Sequence, residues 1–212
     1  YVINGSYKNT NFYDNGVTVM MAGKSKQGVY RTYLRFKDFT AKIKGKYVDS
    51  ATLTMYETGS SQSGQTIEAR RVTENWTRSG LKWSNRPGYS TNYGNVKTTG
   101  TAKKARSINL TEYARQCASG KITSYGVMLK NADETKSYGQ FYSSRASSNR
   151  PKMSVTYYDG PTTASSVSVT PQYANNNHQK TLHVNWTGIS SHSLNRVEYR
   201  IANWGNGEET GD

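Results

Sequence analysis

Short runs in which apolar and polar residues alternate recur along most of the chain, and each reads as a β-strand with one buried face. In Thr32-Tyr33-Leu34-Arg35-Phe36, Leu34 and Phe36 share one side while Tyr33 and Arg35 share the other. Leu53 and Met55 do the same in Ala51-Thr52-Leu53-Thr54-Met55-Tyr56, and similar runs occupy 17–21, 67–72, 125–130, 140–143 and 153–158. About seven such runs, separated by turn residues, predict an all-β, jelly-roll-like antiparallel β-sandwich. The single helical pattern spans Leu110 to Cys117 and stops at Gly120 beside Lys121, as expected of one short helix at the edge of a sandwich.

The pattern breaks at Asp159-Gly160-Pro161-Thr162-Thr163, where a Gly-Pro turn and small polar residues read as a linker over 159–165. Beyond it, runs at 166–170, 182–186 and 197–201 predict three more strands, laid out like the start of a partial immunoglobulin/fibronectin type III-like β-sandwich over 166–212. Such a module ordinarily needs about 100 residues, so continuation past Asp212 is the expectation, as is a module upstream of the linker spanning 1–158. Tyr1 already sits in a strand-like run, so any signal peptide is expected to lie upstream or to have been removed.

Charge sharpens this division. Residues 1–158 hold 25 Lys and Arg against 9 Asp and Glu, a net +16, whereas residues 159–212 hold 3 against 5. A field of that size confined to one module favours polyanions as partners. Specific nucleic-acid binding is not expected, because the chain shows neither a basic-aromatic RNA motif nor a recognition helix. Apolar residues make up 33% of the chain and no run of about 18 of them occurs, so no transmembrane helix is predicted. The one cysteine, Cys117, closes no disulfide within the chain and reads as a buried apolar residue.

With the strands placed, residues 1–158 resemble the DNRLRE-type β-sandwich of bacterial and archaeal surface proteins. The resemblance rests on Asn9-Thr10-Asn11-Phe12-Tyr13, Tyr33-Leu34-Arg35-Phe36 and Asp49-Ser50-Ala51-Thr52-Leu53. It continues through Trp76-Thr77 with Leu81-Lys82-Trp83-Ser84-Asn85-Arg86-Pro87, then Ser144-Arg145, and ends at Arg150-Pro151-Lys152-Met153-Ser154-Val155-Thr156-Tyr157. Two positions depart from the pattern: Ala146 stands where an acid often follows the Ser-Arg pair, and Lys37-Asp38 where an aspartate follows the Leu-x-Phe strand. The resemblance implies a non-catalytic module of a secreted or cell-surface protein, attached to a polysaccharide-degrading enzyme, an adhesin-like protein or a YD-repeat wall-associated protein. It also implies alginate among the ligands, held by basic side chains.

The residues themselves point away from catalysis. His178, His183 and His192 all lie beyond the linker, so the first module has no Ser-His or Cys-His pair, and Glu57, Glu68, Glu74 and Glu112 are scattered. Asp133-Glu134 sits in a turn-like stretch and reads as solvated. The sharper candidate is a basic surface for an anionic polysaccharide or cell-wall polymer. Arg31, Tyr33 and Arg35 share one side of a strand, where guanidinium forks match uronate carboxylates and an aromatic ring stacks on a sugar. Lys24 and Lys26 extend the trio from the preceding turn, and Tyr142 with Arg145 form the far edge. The competing reading of the same residues is a solvated sheet face that deters edge pairing.

Trp76, Trp83 and Arg86 suit a sugar platform, but their place in the resemblance favours a buried corner with Arg86 bonded to backbone. Asp14, Asn15 and Asp133 offer hard oxygen donors for a structural calcium, yet they lack EF-hand-like spacing, so turn chemistry is preferred and no cofactor is expected. The Asn-x-Ser/Thr triplets at Asn4, Asn75, Asn109 and Asn185 are ordinary in so Asn- and Thr-rich a chain. The alternative to a glycan-binding module is a structural or adhesive spacer that self-associates in a fibre.

Overall fold

The computed structural model describes residues 1–13 and 16–159, together with the backbone of the strands at 166–173 and 180–187. The chain divides into two compact units, Tyr1–Tyr157 and Tyr158–Asp212. Ten strands build the first: β1 (Val2–Ile3), β2 (Val19–Ser25), β3 (Gly28–Leu34), β4 (Lys46–Tyr56), β5 (Thr66–Val72), β6 (Tyr89–Lys97), β7 (Ala105–Asn109), β8 (Val127–Asn131), β9 (Gly139–Tyr142) and β10 (Lys152–Asp159). Helix α1 spans Phe39–Ile43 and α2 spans Thr111–Ala118. The result is an all-β antiparallel sandwich. A seven-stranded sheet runs β6-β5-β8-β3-β2-β9, with β1 paired to β3, and a three-stranded sheet runs β10-β4-β7.

Alternation explains the main core. Met20, Ala22, Ile67, Ala69, Val127, Leu129 and Phe141 turn inward from the large sheet onto Leu53, Met55 and Ile108 of the small one. Each large apolar side chain so buried contributes roughly 1.5–3 kcal/mol. Leu110, Tyr113, Ala114 and Cys117 close one end, the last two of them a helical turn apart on α2. Burial pushes the Cys117 thiol up to about 11, which makes it an inert apolar filler at neutral pH.

Three elements depart from the sequence reading. The five-residue helix α1 precedes β4, so the 110–117 pattern is not the single helix of this unit. Strands β6 and β7 join the seven runs read from alternation, and β6 holds no fully buried residue, which is why its sequence carries no clear period. Against the opposite face of the large sheet lie two chain segments rather than a second sheet. Trp76, Leu81 and Trp83, from the 73–88 connection between β5 and β6, pack on Val2, Tyr33, Val72 and Met128. Tyr1 and Phe12 pack on Ile3, Met21 and Tyr30.

In the second unit, β11 (Ser166–Tyr173) pairs antiparallel with β12 (Lys180–Thr187), with Val169 opposite Val184. The third run, 197–201, the linker beyond Asp159, His178 and His192 lie outside the described residues, as do Asp14 and Asn15. Among the described residues no helix is long and apolar enough to cross a membrane.

Candidate functional site

The outer face of the large sheet is where the cations of β3 and β5 emerge. Register puts Tyr33 and Arg70 on either side of Met128, and Glu68 opposite Lys130. A row of arginines on one face needs counter-charges or ring faces, and both are present. Arg31 is 9% exposed; its Nε and Nη2 donate to Glu134 Oε1 and Oε2 at 2.7 Å each. Burial opposes its charge, but the Glu134 carboxylate outweighs it and holds the guanidinium above its ordinary value. Arg70 Nε donates to Glu68 Oε2 at 2.7 Å, with Lys130 Nζ 3.9 Å from the same oxygen.

The aromatic half of the site comes from the 73–88 segment. Trp76 is anchored by donation from its Nε1 to the Tyr125 carbonyl at 2.7 Å. The guanidinium of Arg35 lies 4.9 Å from the Trp76 ring centre and donates to Asn75 Oδ1 at 3.0 Å. Trp83 carries two guanidinium groups, Arg86 at 4.3 Å and Arg31 at 4.9 Å, and Arg31 also sits 5.1 Å from the exposed Tyr89 ring. Arg86 Nη1 donates to the Trp83 carbonyl at 2.7 Å. A third cluster assembles Tyr13, Arg78 at 4.8 Å and Arg145 at 4.2 Å from three separate parts of the chain.

Side-chain and backbone bonds set the shape of this segment in advance. Asn11 Nδ2 donates to the Arg78 and Ser79 carbonyls at 2.8 and 2.6 Å, and the Ser84 amide donates to the Lys8 carbonyl at 2.9 Å. Asn85 Nδ2 donates to Gly80 O while its Oδ1 accepts from the Lys82 amide, both at 2.8 Å. A surface fixed this way loses little conformational entropy when a ligand arrives.

The trio read from sequence does share one face, but its members stand in different surroundings. Arg31 is internally paired. Tyr33 is 7% exposed, edge-on to Trp76 with ring centres 5.8 Å apart, and burial pushes its phenol up to about 12. The other ring at this point, that of Trp76, is half-buried and carries the Arg35 guanidinium. Arg35 is exposed, as are Lys24 and Lys26 at the β2–β3 turn, where Lys24 N donates to the Lys136 carbonyl. Tyr142 is half-buried opposite Val19, and Arg145 belongs with Tyr13 rather than with the trio. Among the described residues, no carboxylate lies within ion-pair distance of Arg35, Arg78, Arg86, Arg145, Lys24 or Lys26.

The sequence reading of Asp133-Glu134 as a solvated pair holds for Asp133 alone. Its Oδ1 accepts from the Thr135 amide and hydroxyl, the bonds that hold this carboxyl below its ordinary value, whereas Glu134 is the partner of Arg31. Nothing local marks Glu134, because the pairing spans 103 positions. Arg78 and Tyr89 also went unmarked; their signal is the repeated placing of arginine near aromatic residues within 76–89. A family model described as carbohydrate-binding module family 96 matches residues 1–157. A comparison with curated proteins gives no match.

Proposed function

The chain belongs to carbohydrate-binding module family 96 through residues 1–157, and from that premise we propose that it holds an anionic polysaccharide of the uronate or cell-wall type without cleaving it. The observation that carries this reading is a set of cations left without acidic partners among the described residues, exposed at Arg35, Arg78 and Arg145 and half-buried at Arg86, placed over Trp76, Trp83 and Tyr13. A uronate chain presents a carboxylate and an apolar ring face on every unit. Guanidinium groups bind the first and indole faces bind the second. Arg35 with Trp76 is the central pair in this reading, Arg86 with Trp83 and Arg78–Tyr13–Arg145 flank it, and Lys24 and Lys26 add charge at one end. Arg31, Arg70 and Tyr33 act as supports.

The same reading makes the chain part of a larger secreted or cell-surface protein, which the module keeps on its polymer. The test is affinity electrophoresis of the 212-residue chain in gels containing alginate or pectate, at low and high salt. Retardation should fall steeply with salt, because exposed charges are screened beyond about 10 Å at 0.1 M ionic strength. Arg35→Ala and Lys24→Ala should each weaken binding about three- to fivefold. Retardation that is the same at both salt concentrations overturns the proposal.

A further inference from the structure

An open cleft of about 700 Å³ lies between the start of β4, the middle of β6, the end of β7 and the first turn of α2. Its volume falls in the roughly 300–1,000 Å³ range of small-molecule sites. The lining reverses the character of the rest of the module: Asp49 and Glu112 supply carboxylates, Asn95 and Asn109 carboxamides, Ser50 a hydroxyl and Tyr93 an aromatic ring. The cation at the rim, Arg115, is already engaged. Its Nε donates to the Val48 carbonyl at 2.8 Å and its Nη2 to the Asp49 carbonyl at 3.2 Å.

Part of the lining is fixed and part is open for a ligand. Tyr93 is held by donation to Gln116 Oε1 at 2.7 Å and by an edge contact with Tyr113 at 5.3 Å. Asn109 Oδ1 accepts the Thr111 amide, and Glu112 Oε1 accepts from Gln116 Nε2, which leaves the Asn109 amino group and the second Glu112 oxygen. Among the described residues, neither Asp49 nor Asn95 has a side-chain partner. Gly94 lets β6 approach β7 at the floor, since a Cβ there would stand 2.7 Å from the Asn109 carbonyl oxygen.

We infer that this cleft is a second sugar site, for a neutral, hydroxyl-rich glycosyl unit. Carboxylates repel an acidic unit. A compact cation satisfies the carboxylates but offers no acceptor to the two carboxamide donors. A sugar hydroxyl both donates and accepts, so adjacent hydroxyls match the carboxylate–carboxamide set, and the Tyr93 ring offers apolar surface beside it. The inference is independent of the acidic-polymer reading, because it uses none of those residues.

The test is amide chemical-shift titration of the 212-residue chain with separate tetrasaccharides of glucose, xylose and mannose, of glucosamine, and of mannuronate. At least one neutral tetramer should shift Asn95 and Asn109 with the same affinity at low and high salt. Asp49→Ala and Asn95→Ala, both at exposed positions, should each weaken it about tenfold, whereas Arg35→Ala should not. Silence of the cleft signals with all three neutral tetramers overturns the inference. So does a response to glucosamine alone that fades with salt, or shifts confined to Arg35 and Trp76. The mannuronate arm reports on the other site and fails or succeeds separately.

Discussion

Replacing Glu134 by alanine isolates what holds Arg31. Two donations of 2.7 Å link groups whose side chains are 10% and 23% exposed. Removing one partner of a buried pair costs about 3–5 kcal/mol. Here the guanidinium keeps its contacts with Trp83 and Tyr89, worth about 1 kcal/mol each, and Glu134 reaches solvent, so the expected loss is about 2 kcal/mol. With a urea slope near 2 kcal/mol per molar for a unit of this size, the midpoint should fall by about 1 M. The assay is a urea titration followed through the amide signals of β3 and β8, which report on the first unit alone. Arg31→Met combined with Glu134→Leu should regain most of the loss, because a matched apolar pair leaves no buried charge. Alginate retardation of Glu134→Ala should hold or rise, since a guanidinium is released toward the ligand. A midpoint change below about 0.2 M refutes the assignment of Arg31 to the support of the face.

Glu57 is fully buried; its carboxylate accepts from the Thr99 and Gly100 amides and the Thr99 hydroxyl, with Arg106 at 3.6 Å. Glu57→Ala should cost about 3 kcal/mol in urea unfolding, through donors left unpaired. Asn11→Ala should lower alginate affinity more than it lowers the urea midpoint, because it unpins the Arg78–Ser79 turn; equal loss of both counts against preorganisation. Burial raises Cys117 from 9.0 to about 11 and Tyr33 from 10.0 to about 12. The folded chain therefore keeps protons that the unfolded chain releases: this stability is complete below about pH 9 and is lost as pH rises through about 11 to 12. Urea midpoints at pH 8 and about pH 10.5 should differ less in Tyr33→Phe than in the native chain. Gly126 (φ +98°) crosses the Leu34 carbonyl so closely that Gly126→Ala should destabilise the unit by more than about 2 kcal/mol.

Sequence reading found the elements whose residues alternate between core and solvent. Leu53 and Met55 located β4, and Ile67 and Ala69 located β5, because each sits on the strict two-residue period of a half-buried strand. The edge strand β6 escaped because Tyr93 and Val96 turn only partly inward and asparagine, serine and threonine fill the rest. Arg86 bonded to backbone was legible from its motif. The fold-over of Trp76 onto Tyr33 was not, since such contacts depend on where a loop lands rather than on any periodicity. Glu134 and the Tyr13–Arg78–Arg145 grouping were illegible for the same reason.

The covering of the large sheet by the 73–88 segment separates two duties that many sandwiches assign to one surface. The strand residues and the half-buried Trp76 and Trp83 packed on them carry the stability, while Asn75, Arg78 and Asn85 meet the solvent. On the proposed reading, exchanges at Asn75, Arg78 or Lys82 should change which polymer is held without disturbing a single rung of strand pairing, so grafting this short stretch between scaffolds would test its part in selectivity.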